Sequence, residues 1–166
     1  AELKRQEVDL GEIAEALMNE LREMEPSRRV TFVCRGSLRT FAEPHLVRIL
    51  LDNLLGNTLK FTAGTPSARI ELGSEGRDGE QVFFVRDNGD GFDMKYRDRL
   101  FQAFHRLHPA EEFPGTGIGL ATVARIIDSH RGHIWAEGEK GKGATFYFLF
   151  GGQSSVSDTP LSLAEG

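Results

Sequence analysis

The chain has 166 residues, of which 39% are hydrophobic and 27% charged, with a formal net charge of −5 at pH 7. That length supports one domain with a sizeable core, and the acidic balance argues against nucleic-acid binding, which usually needs a basic face. A single cysteine, Cys34, excludes an internal disulfide framework and a cysteine-rich zinc site. Its apolar surroundings make it a small core residue. No apolar run reaches the length of a membrane span and no signal peptide leads the chain, so a cytoplasmic location without membrane contact is expected.

Residues 1–7 are mostly charged and read as the end of an upstream helix or a linker. Val8 to Leu10 fits a short strand or a loop. Ile13, Leu17, Leu21 and Met24 recur at helical spacing and predict an amphipathic helix that stops before Pro26. Arg29 to Val33 is rich in β-formers and reads as a strand; Ser37 to Phe41 fits a second short one. Leu46 to Thr62 predicts the central helix. Val47, Leu50, Leu51, Leu54, Leu55 and Thr58 make its apolar face, and Pro44 suits a first helical turn because its missing N–H has no helical partner there.

Beside that apolar face runs a polar stripe. Asn53 and Asn57 are four residues apart and Lys60 is three further on, so all three project from one line. Two readings stand: a solvated edge, or the floor of a phosphate and metal site. In the second, asparagine carbonyl oxygens are hard ligands suited to Mg²⁺, and Lys60 supplies a point charge.

Ala68 to Leu72 predicts a strand, Ser74 to Glu80 a polar hairpin connection, and Gln81 to Arg86 a buried strand. That strand runs into Asp87-Asn88-Gly89-Asp90-Gly91-Phe92. The D-x-G-x-G pattern occurs in many turns. A carboxylate at the buried end of a strand needs a donor, however. The exocyclic amine of adenine is one such donor, whereas guanine presents a carbonyl at that place. Residues 97–104 suggest a short helix. Within it Phe101 and Phe104 read as packing; Arg106, two residues beyond, reads as a solvated side chain or a γ-phosphate contact.

Gly115-Thr116-Gly117-Ile118-Gly119-Leu120 opens another helix, whose apolar face is Leu120, Val123, Ile126 and Ile127 and whose end falls near His130 to Gly132. Bare backbone N–H groups at a helix N-terminus can hold phosphate; the bland alternative is a loop tip. No Lys-Ser or Lys-Thr pair closes it as a P-loop, and Leu120 stands where a dinucleotide fingerprint needs glycine. His133 to Glu137 and Ala144 to Phe150 are strands about a loop from Gly138 to Gly143. Residues 151–166 read as a linker or tail. The five histidines, 45, 105, 108, 130 and 133, show no zinc-site spacing. The order approximates βαβαββαββ, which points to an α+β sandwich with helices on one face of a mixed sheet.

Together these pieces resemble the catalytic ATP-binding domain of bacterial sensor histidine kinases, in the wider group shared with gyrase B, Hsp90 and MutL. NLLGNTLKF, DNGDGF, FQAF and GTGIGL stand as that family's N, G1, F and G2 boxes. The resemblance covers residues 8–150, and the lid and final hairpin look most like those of phytochrome-type and hybrid kinases. It implies the family's Bergerat fold, an α/β sandwich of about five strands in a mixed sheet with three helices on one face. It also implies ATP and Mg²⁺. Asn57 would ligate Mg²⁺, Asn53 would help through water or phosphate, and Lys60 would touch phosphate. Phe61 would lie against the adenine and Asp87 would read its amine. Gly89 and Gly91 would let the backbone approach base and ribose. Gly115, Thr116, Gly117, Ile118, Gly119 and Leu120 would make a lid over the phosphates. Arg106 would reach the γ-phosphate, and Thr145 would support the adenine through a water.

The reaction so implied is transfer of the ATP γ-phosphoryl group to a histidine on a helical dimerisation domain, with a response regulator receiver domain as the next partner. None of the five histidines here has the H-E/D-x-x-x-P setting of that nucleophile. Gyrase and Hsp90 carry a catalytic Glu where this chain has Asn53, which favours transfer over hydrolysis. The competing readings are a nucleotide-binding interaction module without transfer and a hydrolysing ATPase of the gyrase or Hsp90 kind. Thr58 stands where the family usually has Ala, a change expected to touch packing only.

Overall fold

The computed structural model describes residues 3–95, 100–101 and 116–152, with the side chains of the last segment described from residue 119 onward. Within these the order is β1 (Gln6–Asp9), α1 (Leu10–Met24), β2 (Val30–Arg35), β3 (Arg39–Ala42), α2 (Pro44–Phe61), β4 (Ala68–Arg77), β5 (Glu80–Asp87), α3 (Thr116–Ser129), β6 (His133–Glu139) and β7 (Gly143–Leu149).

Five strands form one mixed sheet in the order β2-β4-β5-β7-β6. Only the β2–β4 pair is parallel, and the long β2-to-β4 connection through α2 supplies the crossover that a parallel pair needs. Side chains alternate across the pleat. Ile70, Leu72, Phe83, Val85, Phe146 and Phe148 share one face and join the helices in a single core. Val82, Phe84, Tyr147 and Leu149 lie on the other, beside Trp135. The α/β sandwich with three helices on one sheet face is therefore observed.

Local chemistry sets the helix ends. Asp9 caps α1, its carboxylate accepting from the N–H of Gly11 at 2.8 Å and of Glu12 at 3.3 Å. Leu10, Ala14, Leu17 and Met18 are its buried stripe. Met24, expected on that stripe, is 77% exposed, because α1 ends there and the stripe has passed beyond its partner. In α2, Pro44 does stand in the first turn, and Glu43 accepts from the Leu46 N–H at 2.9 Å.

Three expectations need correction. Residues 3–5 are not helical, and the domain's first strand already includes Gln6 and Glu7, paired with Ala42 and Phe41 of β3. This β1–β3 ribbon adds one strand to the expected order. Ser74 to Glu80 is not a polar connection: β4 runs to Arg77 and β5 starts at Glu80, with Asp78 and Gly79 alone as the turn. Both have positive φ, 52° and 81°, as a two-residue hairpin turn requires. Cys34 is half-buried rather than fully interior, because β2 is an edge strand. Burial and the neighbouring Glu15 carboxylate push its thiol up to about 11.

The end of α3 is pinned from two sides. Buried His130 donates from Nδ1 to the Ile126 carbonyl at 2.8 Å and accepts the Glu43 N–H at Nε2 at 3.1 Å. That arrangement requires the neutral ring, and burial accordingly lowers its pKa. No helix among the described residues is long and apolar enough to cross a membrane.

Candidate functional site

The site is assembled on α2. Asn57 is 4% exposed and Lys60 is exposed one turn on, while Thr58 faces the core. The Thr58 hydroxyl satisfies itself on the Leu55 carbonyl at 2.8 Å, so its departure from alanine is absorbed inside the helix. Asn53 donates its amide nitrogen back to the Ile49 carbonyl at 2.9 Å. Its other side-chain atom, Oδ1, then faces the first turn of α3. A Cβ placed on Gly119 would sit 2.9 Å from that oxygen. The missing side chain at Gly119 therefore lets the glycine-rich helix start close against the Asn53–Asn57–Lys60 stripe. Two motifs 66 residues apart in a chain of 166 meet there.

Asp87 closes β5 on the helix-facing side of the sheet, opposite Ile70 and Ala144. It is 5% exposed. Oδ1 accepts the Gly89 N–H at 2.9 Å. Burial pushes the carboxyl from 3.8 up to about 6, against the opposing pull of the Gly89 and Ala144 N–H groups.

Among the described residues, two buried side-chain polar atoms have no hydrogen-bond partner: Asn57 Nδ2 and Asp87 Oδ2. Leaving such an atom unpaired costs roughly 1–3 kcal/mol. Native structures contain few, and each calls for an explanation. One is a donor and the other an acceptor, which matches a ligand with an anionic end and an amine-bearing end. A half-turn of the Asn57 carboxamide would present its oxygen to a cation instead.

The loop after β5 shows what its glycines are for. A Cβ at Gly89 would lie 2.4 Å from the Phe61 carbonyl oxygen, and Asp90 N–H donates to that same oxygen at 3.0 Å. Gly91, at φ 66°, would place a Cβ 2.1 Å from the Glu139 carbonyl oxygen. These glycines therefore have a packing role of their own. Their bareness is occupied by the chain's own backbone, which locks the loop between α2 and the β6–β7 hairpin.

Thr145 needs a further correction. It pairs with Arg86, not with Asp87, and so lies on the opposite sheet face from Asp87, its hydroxyl accepting from Arg86 Nε at 3.3 Å. The adenine-supporting role falls with it, because successive strand residues point to opposite faces. Ala144 is the β7 residue beside Asp87. Leu120 is 3% exposed and belongs to the core cluster rather than to a lid. Phe61 is also buried, with its carbonyl engaged by the loop. Arg106, Gly115 and Phe104 lie outside the described residues, as do the side chains of Thr116 and Ile118; Gly117 is described only as part of α3. Sequence reasoning missed Asp90, whose N–H meets the Phe61 carbonyl, and Arg28, whose guanidinium meets the Leu59 and Thr62 carbonyls; carbonyl partners leave no trace in a motif.

The model of the family described as "Histidine kinase-, DNA gyrase B-, and HSP90-like ATPase" matches residues 42–153. Cyanobacterial phytochrome A of Nostoc sp. is 48% identical over 99 residues, covering 60% of this chain and 13% of its own length. The methanogenesis regulatory histidine kinase FilI of Methanothrix harundinacea is 38% identical over 144 residues, covering 86% of this chain and 16% of its own. The chain therefore spans a minor part of the curated relatives it matches. Among solved structures, the mycobacterial sensor histidine kinase MprB superposes with a TM-score of 0.74 at 20% identity, covering 87% of this chain and 97% of that one. Full-length ShkA in complex with AMPPNP gives 0.72 at 28% identity, covering 90% of this chain and 31% of that one. The fold, the motifs and these matches agree, and the chain belongs to the histidine kinase-, DNA gyrase B- and HSP90-like ATPase family, as a domain homologous to the catalytic domains of sensor histidine kinases.

Proposed function

We propose that this chain binds ATP with Mg²⁺ and transfers the γ-phosphoryl group to a histidine on a helical dimerisation domain of the same kinase, from which a receiver domain is served. The observation that carries the reading is the pair of orphaned buried atoms, Asn57 Nδ2 and Asp87 Oδ2, on two motif residues. Mg²⁺-ATP would answer both, adenine at Asp87 and the metal with its phosphates at Asn57 once the carboxamide is turned to present its oxygen. The ShkA structure, similar to this chain, holds AMPPNP.

Mg²⁺-ATP, when bound, supplies the reactive phosphoryl group and the charge that offsets its oxygens. In this reading Asn57 holds the metal through its carboxamide oxygen, and Lys60 adds a positive charge beside the phosphates. Asp87, ionised, accepts the adenine amine, and its fixed place at the strand end excludes guanine, whose carbonyl would face a carboxylate. The first turn of α3, with Gly117 and Gly119, offers backbone N–H groups to the phosphates. Gly115, Thr116, Ile118 and Arg106 complete that lid. The chain's part in catalysis is positioning and charge neutralisation rather than covalent chemistry. Asn53 favours transfer over hydrolysis: an amide engaged with the Ile49 carbonyl cannot take a proton from water.

The test mixes the chain with the histidine-bearing helical domain of its parent kinase and radiolabelled ATP. Acid-labile label on the helical domain, dependent on Mg²⁺, is expected, with no label on the chain alone. Rapid ATP hydrolysis by the chain alone, without transfer, would replace this reading with that of a hydrolysing ATPase.

A further inference from the structure

The last turn of α2 carries Asn57, Lys60 and Phe61, and a helix C-terminus leaves its final carbonyls without intrahelical partners. Here each of them can be accounted for. Thr58 O accepts the Thr62 N–H at 3.0 Å and the Thr62 hydroxyl at 2.7 Å. Lys60 O accepts the Ala63 N–H at 3.2 Å, and Phe61 O accepts the Asp90 N–H at 3.0 Å. Leu59 O and Thr62 O, which also accept the Thr62 hydroxyl at 3.3 Å and the Thr65 N–H at 2.9 Å respectively, are joined by one distant side chain. Arg28, on the connection between α1 and β2, donates from one guanidinium nitrogen to Leu59 O at 2.9 Å. From the other it donates to Thr62 O and Thr62 Oγ1, both at 3.1 Å.

Glycine is not used to end this helix, nor does a Schellman turn close it; a planar fork from elsewhere in the chain reinforces the local bonds of Thr62, Ala63 and Thr65. The fork spans two carbonyls three residues apart, which a lysine ammonium cannot match. Its charge also sits at the negative end of the helix dipole. The Arg28 side chain is only 20% exposed and holds Glu25 at 3.6 Å on its outer side, so it is itself held in place. Asp90 holds the same turn at the Phe61 carbonyl, through the loop that begins at Asp87. The end of α2 is thus clamped between Arg28 and the Asp87 loop, and the stripe residues one turn back are set by that clamp.

We infer that Arg28 is a positioning residue for the phosphate end of the site: it touches no ligand and fixes where Asn57 and Lys60 stand relative to Asp87. This rests on the proposed Mg²⁺-ATP reading of the stripe. It predicts a split. The base end depends on Asp87, which is carried by β5 and anchored independently of Arg28, so only the metal and phosphate end should suffer when the fork is lost.

The experiment titrates the full chain, Arg28→Ala and Arg28→Lys with AMP, and with ATP in the presence and absence of Mg²⁺, at a temperature where circular dichroism shows each folded. Arg28→Ala should bind AMP within threefold of the unmodified chain. Its Mg²⁺-ATP affinity should fall tenfold or more, with most of the gain due to Mg²⁺ lost. Arg28→Lys retains the charge and is the variant to use if Arg28→Ala does not fold; it should show the same split, about threefold in size. A lower melting temperature with both affinities unchanged, or an equal loss for AMP and Mg²⁺-ATP, would reduce Arg28 to a stabilising residue and overturn the inference. Failure of the underlying reading looks different: the unmodified chain itself would gain nothing from Mg²⁺, and there would be no phosphate end for Arg28 to hold.

Discussion

Asp87 is the residue on which the chemistry turns, and its state is pH-dependent. Its folded pKa, about 6, lies above the ordinary 3.8. A carboxyl raised in this way contributes stability that is complete below pH 3.8 and lost as pH rises through about 6. The ligand-free fold therefore pays for an ionised Asp87 at neutral pH, and a bound amine would relieve that. ATP affinity should accordingly rise with pH up to about 6 and level off above it, falling about tenfold per unit on the acid side; a flat profile from pH 5 to 8 would show that Asp87 does not meet the base. Asp87→Asn should weaken ATP binding by about 1.5–3 kcal/mol, the worth of a hydrogen bond to a charged group, read by calorimetry at pH 7.5. At Asn57 the expected change is in the metal. Asn57→Ala should abolish the Mg²⁺ dependence of ATP binding, and survival of that dependence would move the metal to other ligands.

At the scale of elements, the close fit of the β5 loop against α2 makes a separate prediction. Gly89→Ala drives a Cβ into the Phe61 carbonyl oxygen, so the loop must lift and the Asp90–Phe61 hydrogen bond must break. The expected cost is about 2 kcal/mol of stability, a fall of roughly 4–8 °C in Tm for a domain of this size. ATP binding should weaken as well. An unaltered Tm would show that the loop yields without strain. The elements themselves were readable to different degrees. The helical stripes and the buried strand before Asp87 follow from spacing, and their bounds moved by one to three residues. The β4–β5 hairpin was readable but misread: Asp78-Gly79 is a two-residue turn signal, and the polar residues around it belong to strands that project beyond the core. The β1 and β3 strands were readable in part, as the short strands suggested at Val8 to Leu10 and Ser37 to Phe41, but four-residue strands carry too little pattern to show that they pair.

For the whole molecule, the site was more legible than the forces that assemble it. Asn53, Asn57, Lys60 and Asp87 stand out because polar groups at the margin of an apolar face need a reason. Arg28 acts on backbone carbonyls, Asp90 and Ala144 act through their own N–H groups, and Gly89, Gly91 and Gly119 through closeness of approach, none of which a one-dimensional pattern displays. Thr145 failed for a related reason: its neighbourhood was inferred from nearness in sequence, while the pleat places adjacent residues on opposite faces. The molecule that results brings an acceptor at Asp87 and a donor at Asn57 into the same α2–β5 region, each buried and each unpaired. The central claim is that adenine answers Asp87 and the Mg²⁺-phosphate end of the nucleotide answers Asn57. Calorimetric titration of the chain with ATP and with GTP, each with and without Mg²⁺, tests it most directly. Micromolar ATP binding is predicted, on the order of −7 kcal/mol, strengthened by Mg²⁺, with GTP at least roughly tenfold weaker; equal affinity for the two nucleotides, or binding of neither, would contradict it.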